Sequence, residues 1–239
     1  MSLWAIIAIT GTAIFLGSIV QGLIGLGVGL VAAPVLVLVD PHLMPGAMIL
    51  CGAVLPIMTL VREHDNVDWR GLAWAFPWRI IGSVIGGWLI AVASPDSLSI
   101  MVGVFVLVAV SLSMLSWRPR PSPVTLSIGA LTSGIGGTAT SIGGPPIALV
   151  YQHQHPSMLR STLAVFFFAS STISLLTLAI YGELGWYQIR AGLLLLPFVF
   201  LGFLCSLWVR RHLDPEKVRP AVLLVSAVSS VILIIRALL

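Results

Sequence analysis

Between residues 44 and 238 the sequence returns again and again to one device: an apolar run about as long as a bilayer is thick, closed off by proline or charge. Six such runs stand out, at 44–61, 71–93, 98–115, 161–181, 189–209 and 218–238. A helix needs roughly 20 apolar residues to cross a hydrocarbon core of about 30 Å. Composition closes the alternative of a large soluble domain. Only 8% of the 239 residues are charged, against about 25% in ordinary soluble domains, so a polar surface cannot be built. The fold class expected is an all-α polytopic membrane protein.

Two segments do not fit the pattern of simple crossings. Residues 3–39 are too long for one crossing, at about 55 Å if helical throughout. Residues 124–152 are too short for two and too broken for one. Both carry glycine clusters: Gly22, Gly25, Gly27 and Gly29 in the first, and Gly134, Gly136, Gly137, Gly143 and Gly144 in the second.

The two halves also match each other. At an offset of 112, Gly22, Gly25 and Pro34 fall on Gly134, Gly137 and Pro146. At an offset of 120, Arg70, Pro77, Gly82 and Trp88 fall on Arg190, Pro197, Gly202 and Trp208. Self-similarity of this kind marks an internal repeat. The expected organisation is a first repeat over 1–116, a basic cytoplasmic linker at 117–123 and a second repeat over 124–239. Each repeat holds one glycine-broken segment followed by three spanning helices.

Charge decides how the broken segments run. If every segment crosses once, the basic residues divide six against five between the two faces, and no orientation follows. If each broken segment instead enters and leaves on one face, Arg62, Arg70, Arg118, Arg120, Arg160, Arg210, Arg211, Lys217 and Arg219 share a side. Only Arg190 and Arg236 then face the other way, with Arg79 inside a helix and outside both counts. Nine against two satisfies the positive-inside rule. Three crossings per half is odd, so the halves are inverted, both termini lie outside the cytoplasm, and the hairpin tips approach near the midplane. That is the pattern of secondary transporters. The start, MSLWAIIAIT, lacks a basic n-region, so no cleaved signal peptide is expected.

Irregular backbone at membrane depth is tolerated only where protein or a water-filled cavity satisfies it. Glycines permit the turn and a ligand's close approach, and Pro145 and Pro146 suit the first turn of a returning helix. Helix starts favour anions. The substrate-binding candidates are therefore the donors Gln21, Ser133, Thr138, Thr140 and Ser141, with Gly22, Gly25, Gly29, Gly137 and Gly144 shaping the backbone. Arg79, ten residues into its run, offers positive charge for an anion or snorkels to the interface. His153 and His155 read as loop residues, and Cys51 and Cys205 as packing residues without metal-ligand spacing. No carboxylate lies deep in a span, so a carboxylate proton relay is not expected.

Enzyme signatures are missing: there is no H-E-x-x-H, no paired carboxylates and no G-x-S-x-G elbow. Ser141 with His153 forms only a poor nucleophile–base pair, lacking an orienting acid. The net charge of +4 has no basic, aromatic-interleaved patch behind it, so no nucleic-acid partner is expected.

The stretches SIVQGLIGLGVGLVAAPVLVL and SGIGGTATSIGGPPIALVYQ, the latter followed by HPSMLRSTLAVFFF, resemble the TauE/SafE sulfite-exporter family, also called the 4-toluene sulfonate uptake permease family. The resemblance covers essentially the whole chain and is most specific at the paired glycines and prolines with the downstream Arg160; Val28 stands where a further glycine is often found. It implies a bacterial inner-membrane protein that moves sulfite, thiosulfate or an organosulfonate. The residues themselves imply a transporter of a small anion, working by alternating access in the lipid bilayer, with no cofactor. They leave the coupling ion (proton or sodium) and the oligomeric state unassigned. The rival readings are a membrane receptor or scaffold, which would show no ligand-dependent flux, and an intramembrane hydrolase centred on Ser141.

Overall fold

A computed structural model describes residues 3–24, 28–61, 65–114, 119–209, 212 and 215–238. Every regular element among them is helical. In order they are α1 (Leu3–Ile24), α2 (Val28–Val39), a 3-10 turn (Pro41–Leu43), α3 (Gly46–Leu60), α4 (Trp69–Val92) and α5 (Pro95–Met114), followed by α6 (Pro123–Thr140), α7 (Gly144–Tyr151), α8 (Pro156–Ile180), α9 (Trp186–Val209) and α10 (Pro215–Leu238). Six of these, α1, α4, α5, α8, α9 and α10, are long and apolar enough to cross a membrane. The chain is a multi-pass membrane protein. Its outer surface is correspondingly apolar, with Trp88, Trp208, Leu224 and Ile235 all exposed. Hydroxyls within the helices turn back on their own backbone, as Thr10 does to the Ile6 carbonyl at 2.7 Å and Ser111 to Leu107 at 2.9 Å.

Five of the six expected runs coincide with long helices. The sixth, 44–61, folds as the 15-residue α3, about 22 Å long and short of a full hydrocarbon core. The remaining long helix is α1, inside the segment read as broken. Apolar content at 44–61 gives no warning of this, because Pro45 sets the helix start wherever the following residues stand. Gly25, a candidate for shaping the first tip, lies outside the described residues, as do Gly27 and part of the basic linker.

Helix directions follow from which residues face each other. A Cβ on Gly82 of α4 would overlap the Leu131 carbonyl of α6, and one turn on, a Cβ on Gly86 would lie 2.7 Å from the Ile135 oxygen. α4 and α6 therefore run the same way, at a separation only glycine permits. α8 runs with them: the Asp68 amide donates to Thr162 Oγ1 at 2.9 Å near both starts, and Gly87 abuts Thr177 and Tyr181 near both ends. With α6 and α8 parallel, α7 has to bring the chain back. It does so, and Tyr151 at its end donates to Asp68 Oδ2 at 3.0 Å.

α1 stands in the same relation to α9, where Gly11 abuts Phe198 and Gly202 abuts Phe15 and Ser18. α2 returns to the start of α9, and there Tyr187 donates to Asp40 Oδ2 at 2.6 Å. α9 begins where α8 ends, at the opposite end of the bundle from the start of α4. The two hairpins thus dip in from opposite ends and meet tip to tip, Gly29 against the Ser141 carbonyl.

The packing scheme survives exchange of the halves. α4 lies on α6 as α9 lies on α1, α3 on α9 as α8 on α4, and α2 on α10 as α7 on α5.

Candidate functional site

Where the tips meet, the bundle encloses a cavity of about 110 Å³. The first hairpin contributes Gln21, Val28 and Gly29. The second contributes Ser133, Gly137, Ser141 and the Gly143–Gly144 pair. α3 supplies Met48, Ile49, Leu55 and Pro56, α4 supplies Arg79, and α8 supplies Phe167, Ser170, Ser171 and Ser174.

The second tip is built by its own sequence. α6 stops at Ser141, which adopts the left-handed conformation with φ 62° and ψ 15° and sends its amide to the Gly136 carbonyl. A residue with a Cβ pays about 1–2 kcal/mol for that conformation. The Ser141 hydroxyl is anchored by donating to the Pro45 carbonyl at 3.0 Å. Ser133 closes the loop from below, its Oγ donating to the Gly143 carbonyl at 2.5 Å. A Cβ on Gly143 would lie 2.7 Å from the Ser133 carbonyl oxygen, so the loop can settle this close to α6 only with glycine there. Two prolines then start α7 in its first turn. Three backbone groups at the tip, the Ser141 and Ile142 amides and the Gly143 carbonyl, find protein partners.

Arg79 is 2% exposed and reaches the cavity instead of the interface. Its Nη1 donates to the Ser133 carbonyl at 2.9 Å, and its Nη2 donates to the Ser170 carbonyl at 3.1 Å and to Ser174 Oγ at 2.7 Å. All three partners are neutral. Ser174 Oγ in turn shares a hydrogen bond of 2.8 Å with Thr138 Oγ1. Two buried polar atoms beside this network have no partner, Arg79 Nε and Ser170 Oγ. A buried guanidinium held only by neutral oxygens carries an uncompensated charge, which costs several kcal/mol.

Of the residues singled out in the sequence, Gln21, Gly29, Ser133, Gly137, Ser141, Gly144 and Arg79 come together around the cavity. Gln21 also bridges the first break, its Oε1 accepting from the Val28 amide at 3.4 Å. Three others stand back from the wall. Gly22 packs on α9, where a Cβ would overlap Ser206 Oγ, so it serves helix contact. Thr140 returns its hydroxyl to the Gly136 carbonyl at 2.8 Å. Thr138 stands behind Ser174. His153 is exposed, and the Ser141 hydroxyl is committed to Pro45, so the nucleophile–base pairing does not form. Sequence reasoning missed Ser170, Ser171 and Ser174; the spacing of Ser170 and Ser174, one helical turn apart in an apolar run, is the signal that could have found them.

No curated protein and no solved structure matches the chain. A family model described as sulfite exporter TauE/SafE matches residues 10–233, from the middle of α1 to the last turns of α10 and across both hairpins. With nearly all of the chain inside that match, the protein belongs to the TauE/SafE sulfite-exporter family.

Proposed function

We propose that the chain is a secondary transporter of a small, sulfur-containing anion, which binds between the hairpin tips and moves by alternating access. The observation that carries this reading is Arg79, a buried cation with neutral partners, lining a cavity at the meeting point of two helix breaks. Family membership supplies the sulfur-anion class. The residue that holds the anion is Arg79, with Gln21 beside it, Ser133 and Ser141 shaping the tip through their own hydrogen bonds, and Gly29, Gly137 and Gly144 giving backbone access.

The exchangeable packing scheme supports reading the halves as inverted repeats, since hairpins dipping from opposite ends leave one site reachable from either side in turn. One half rocking against the other would then open the cavity first to one face and then to the opposite one. The charge distribution supports a bacterial inner-membrane setting with both termini periplasmic.

The test is a thermal-shift screen of the purified protein against sulfite, thiosulfate, sulfonates and carboxylates, followed by flux in proteoliposomes. Stabilisation by a sulfur oxyanion and its counterflow across the vesicle are expected. A protein that no small anion stabilises, and that passes none, would not be this transporter. A periplasm-active reporter fused after Leu239 is expected to be active, and a silent one would remove the inverted topology.

A further inference from the structure

The cavity carries one positive charge, and nothing in its described wall offers a second. Arg79 is the only charged residue among the described residues that line it. The lining also includes an apolar stretch of α3, Met48, Ile49, Leu55 and Pro56. A guanidinium has five N–H donors; three are engaged by Ser133, Ser170 and Ser174, and Nε is left without a partner. Ser170, 5% exposed, has an equally unpartnered Oγ.

We propose that this cavity selects oxyanions bearing a single negative charge, with Arg79 neutralising that charge and Ser170 Oγ donating to a second oxygen of the same ion. The inference rests on the anion-transport reading above. One charge in the cavity pairs with one guanidinium and leaves the site neutral. A second charge would find no cation in the described lining to meet it, and burying an unpaired charge is costly. The site should therefore discriminate by charge between ions of the same shape.

Methanesulfonate and methylphosphonate provide that comparison. Both are tetrahedral, with one methyl group and three oxygens. The sulfonate keeps one charge at every working pH, whereas the phosphonate goes from one charge to two near neutrality, as phosphate esters do. Binding of each to the full-length protein in detergent is measured calorimetrically at about pH 5.5 and about pH 8.5. No histidine or carboxylate lines the cavity among the described residues, and the sulfonate controls for titration elsewhere.

The expected result is comparable binding of the two at the lower pH, and at the higher pH a loss of about 5-fold for the phosphonate alone, following the fall in its singly charged fraction. Phosphonate binding that holds or tightens as it gains its second charge overturns the charge selection while leaving an anion site in place. Failure of both ions to bind at either pH overturns the anion site itself and this inference with it. Ser170→Ala separates a ligand role from a structural one. Its hydroxyl has no partner to lose, so apo stability should not fall, yet methanesulfonate affinity should drop about 10-fold. Unchanged affinity in that variant removes Ser170 from the donor set.

Discussion

α3 and α8 hold matching places in the packing scheme, resting on each other and both lining the cavity, and they bring opposite chemistry to it. α8 presents Ser170, Ser171 and Ser174, whereas α3 presents Met48, Ile49, Leu55 and Pro56. The same contrast separates α4 from α9. In the register that pairs Gly82 with Gly202, Arg79 falls on Val199, which is fully buried in the apolar core. Where the halves must fit together they remain alike, with glycine against backbone at both helix crossings. Where they meet the cavity they differ. The matching packing scheme brings the two hairpins together, and the difference in lining gives the site its charged, hydroxyl-rich part.

The sharpest way to break that comparison is to make the two sides alike. Arg79→Leu gives α4 the apolar character of α9 at this level. Removing the charged member of a buried ionic contact costs about 2–5 kcal/mol, so anion binding should fall by about 100-fold or more, read by thermal shift and by proteoliposome flux. Arg79→Lys keeps the charge but loses the planar fork that holds Ser133, Ser170 and Ser174 together, and should recover only part of the affinity. Wild-type flux in Arg79→Leu would show that the asymmetry is not what the site uses.

Scaffold positions should behave in the opposite sense, with equal effects in both halves. A Cβ at Gly82 would overlap the Leu131 carbonyl and lie 2.9 Å from the Gly134 α-carbon. At Gly202 it would overlap the Phe15 carbonyl and lie 2.8 Å from Ser18 Cβ. Overpacking of this kind costs about 1–3 kcal/mol, so Gly82→Ala and Gly202→Ala should lower the melting temperature by similar amounts. Gly52 is the control: it lines the cavity, and a Cβ there meets nothing within 4 Å. Gly52→Ala should leave stability intact and weaken anion binding by a few-fold, by narrowing the cavity. A large difference between Gly82→Ala and Gly202→Ala would mean that the crossings are not equivalent.

The sequence shows some of this contrast and hides the rest, for identifiable reasons. The breaks are legible because glycine clusters and paired prolines have few other uses in an apolar segment; α6 gives way to α7 where Ser141, Gly143 and Gly144 stand. The serines of α8 are not, because a serine in an apolar helix looks the same whether it bonds back on its own turn, as Ser111 does, or meets Arg79, as Ser174 does. The direction of Arg79 is equally hidden, since its long stem permits either the interface or the interior. Only the close approach of α6 and α8 to α4 turns it inward.

The smallest effects should come from the outer ends of the hairpins, where equivalence and divergence meet. Each returning helix is tied by a tyrosine–aspartate hydrogen bond to the start of the helix that its partner limb packs on, but the residues trade places. Tyr151 at the end of α7 donates to Asp68 at the start of α4, whereas Tyr187 at the start of α9 donates to Asp40 just beyond α2. Tyr151 is fully buried, and Asp68, half-buried, has its other oxygen engaged by the Gly71 amide at 2.9 Å, so water replaces the phenol less readily there. Tyr187 is 47% exposed, and water can take its place on Asp40. Tyr151→Phe should therefore cost about 1–2 kcal/mol and Tyr187→Phe no more than a few tenths. If the ties hold the two ends shut in turn, each substitution should also raise cysteine-labelling rates at its own end of the cavity and leave anion affinity unchanged. Labelling that rises equally at both ends in either variant would mean that the hairpins loosen together, and that the two halves do not move as separate bodies.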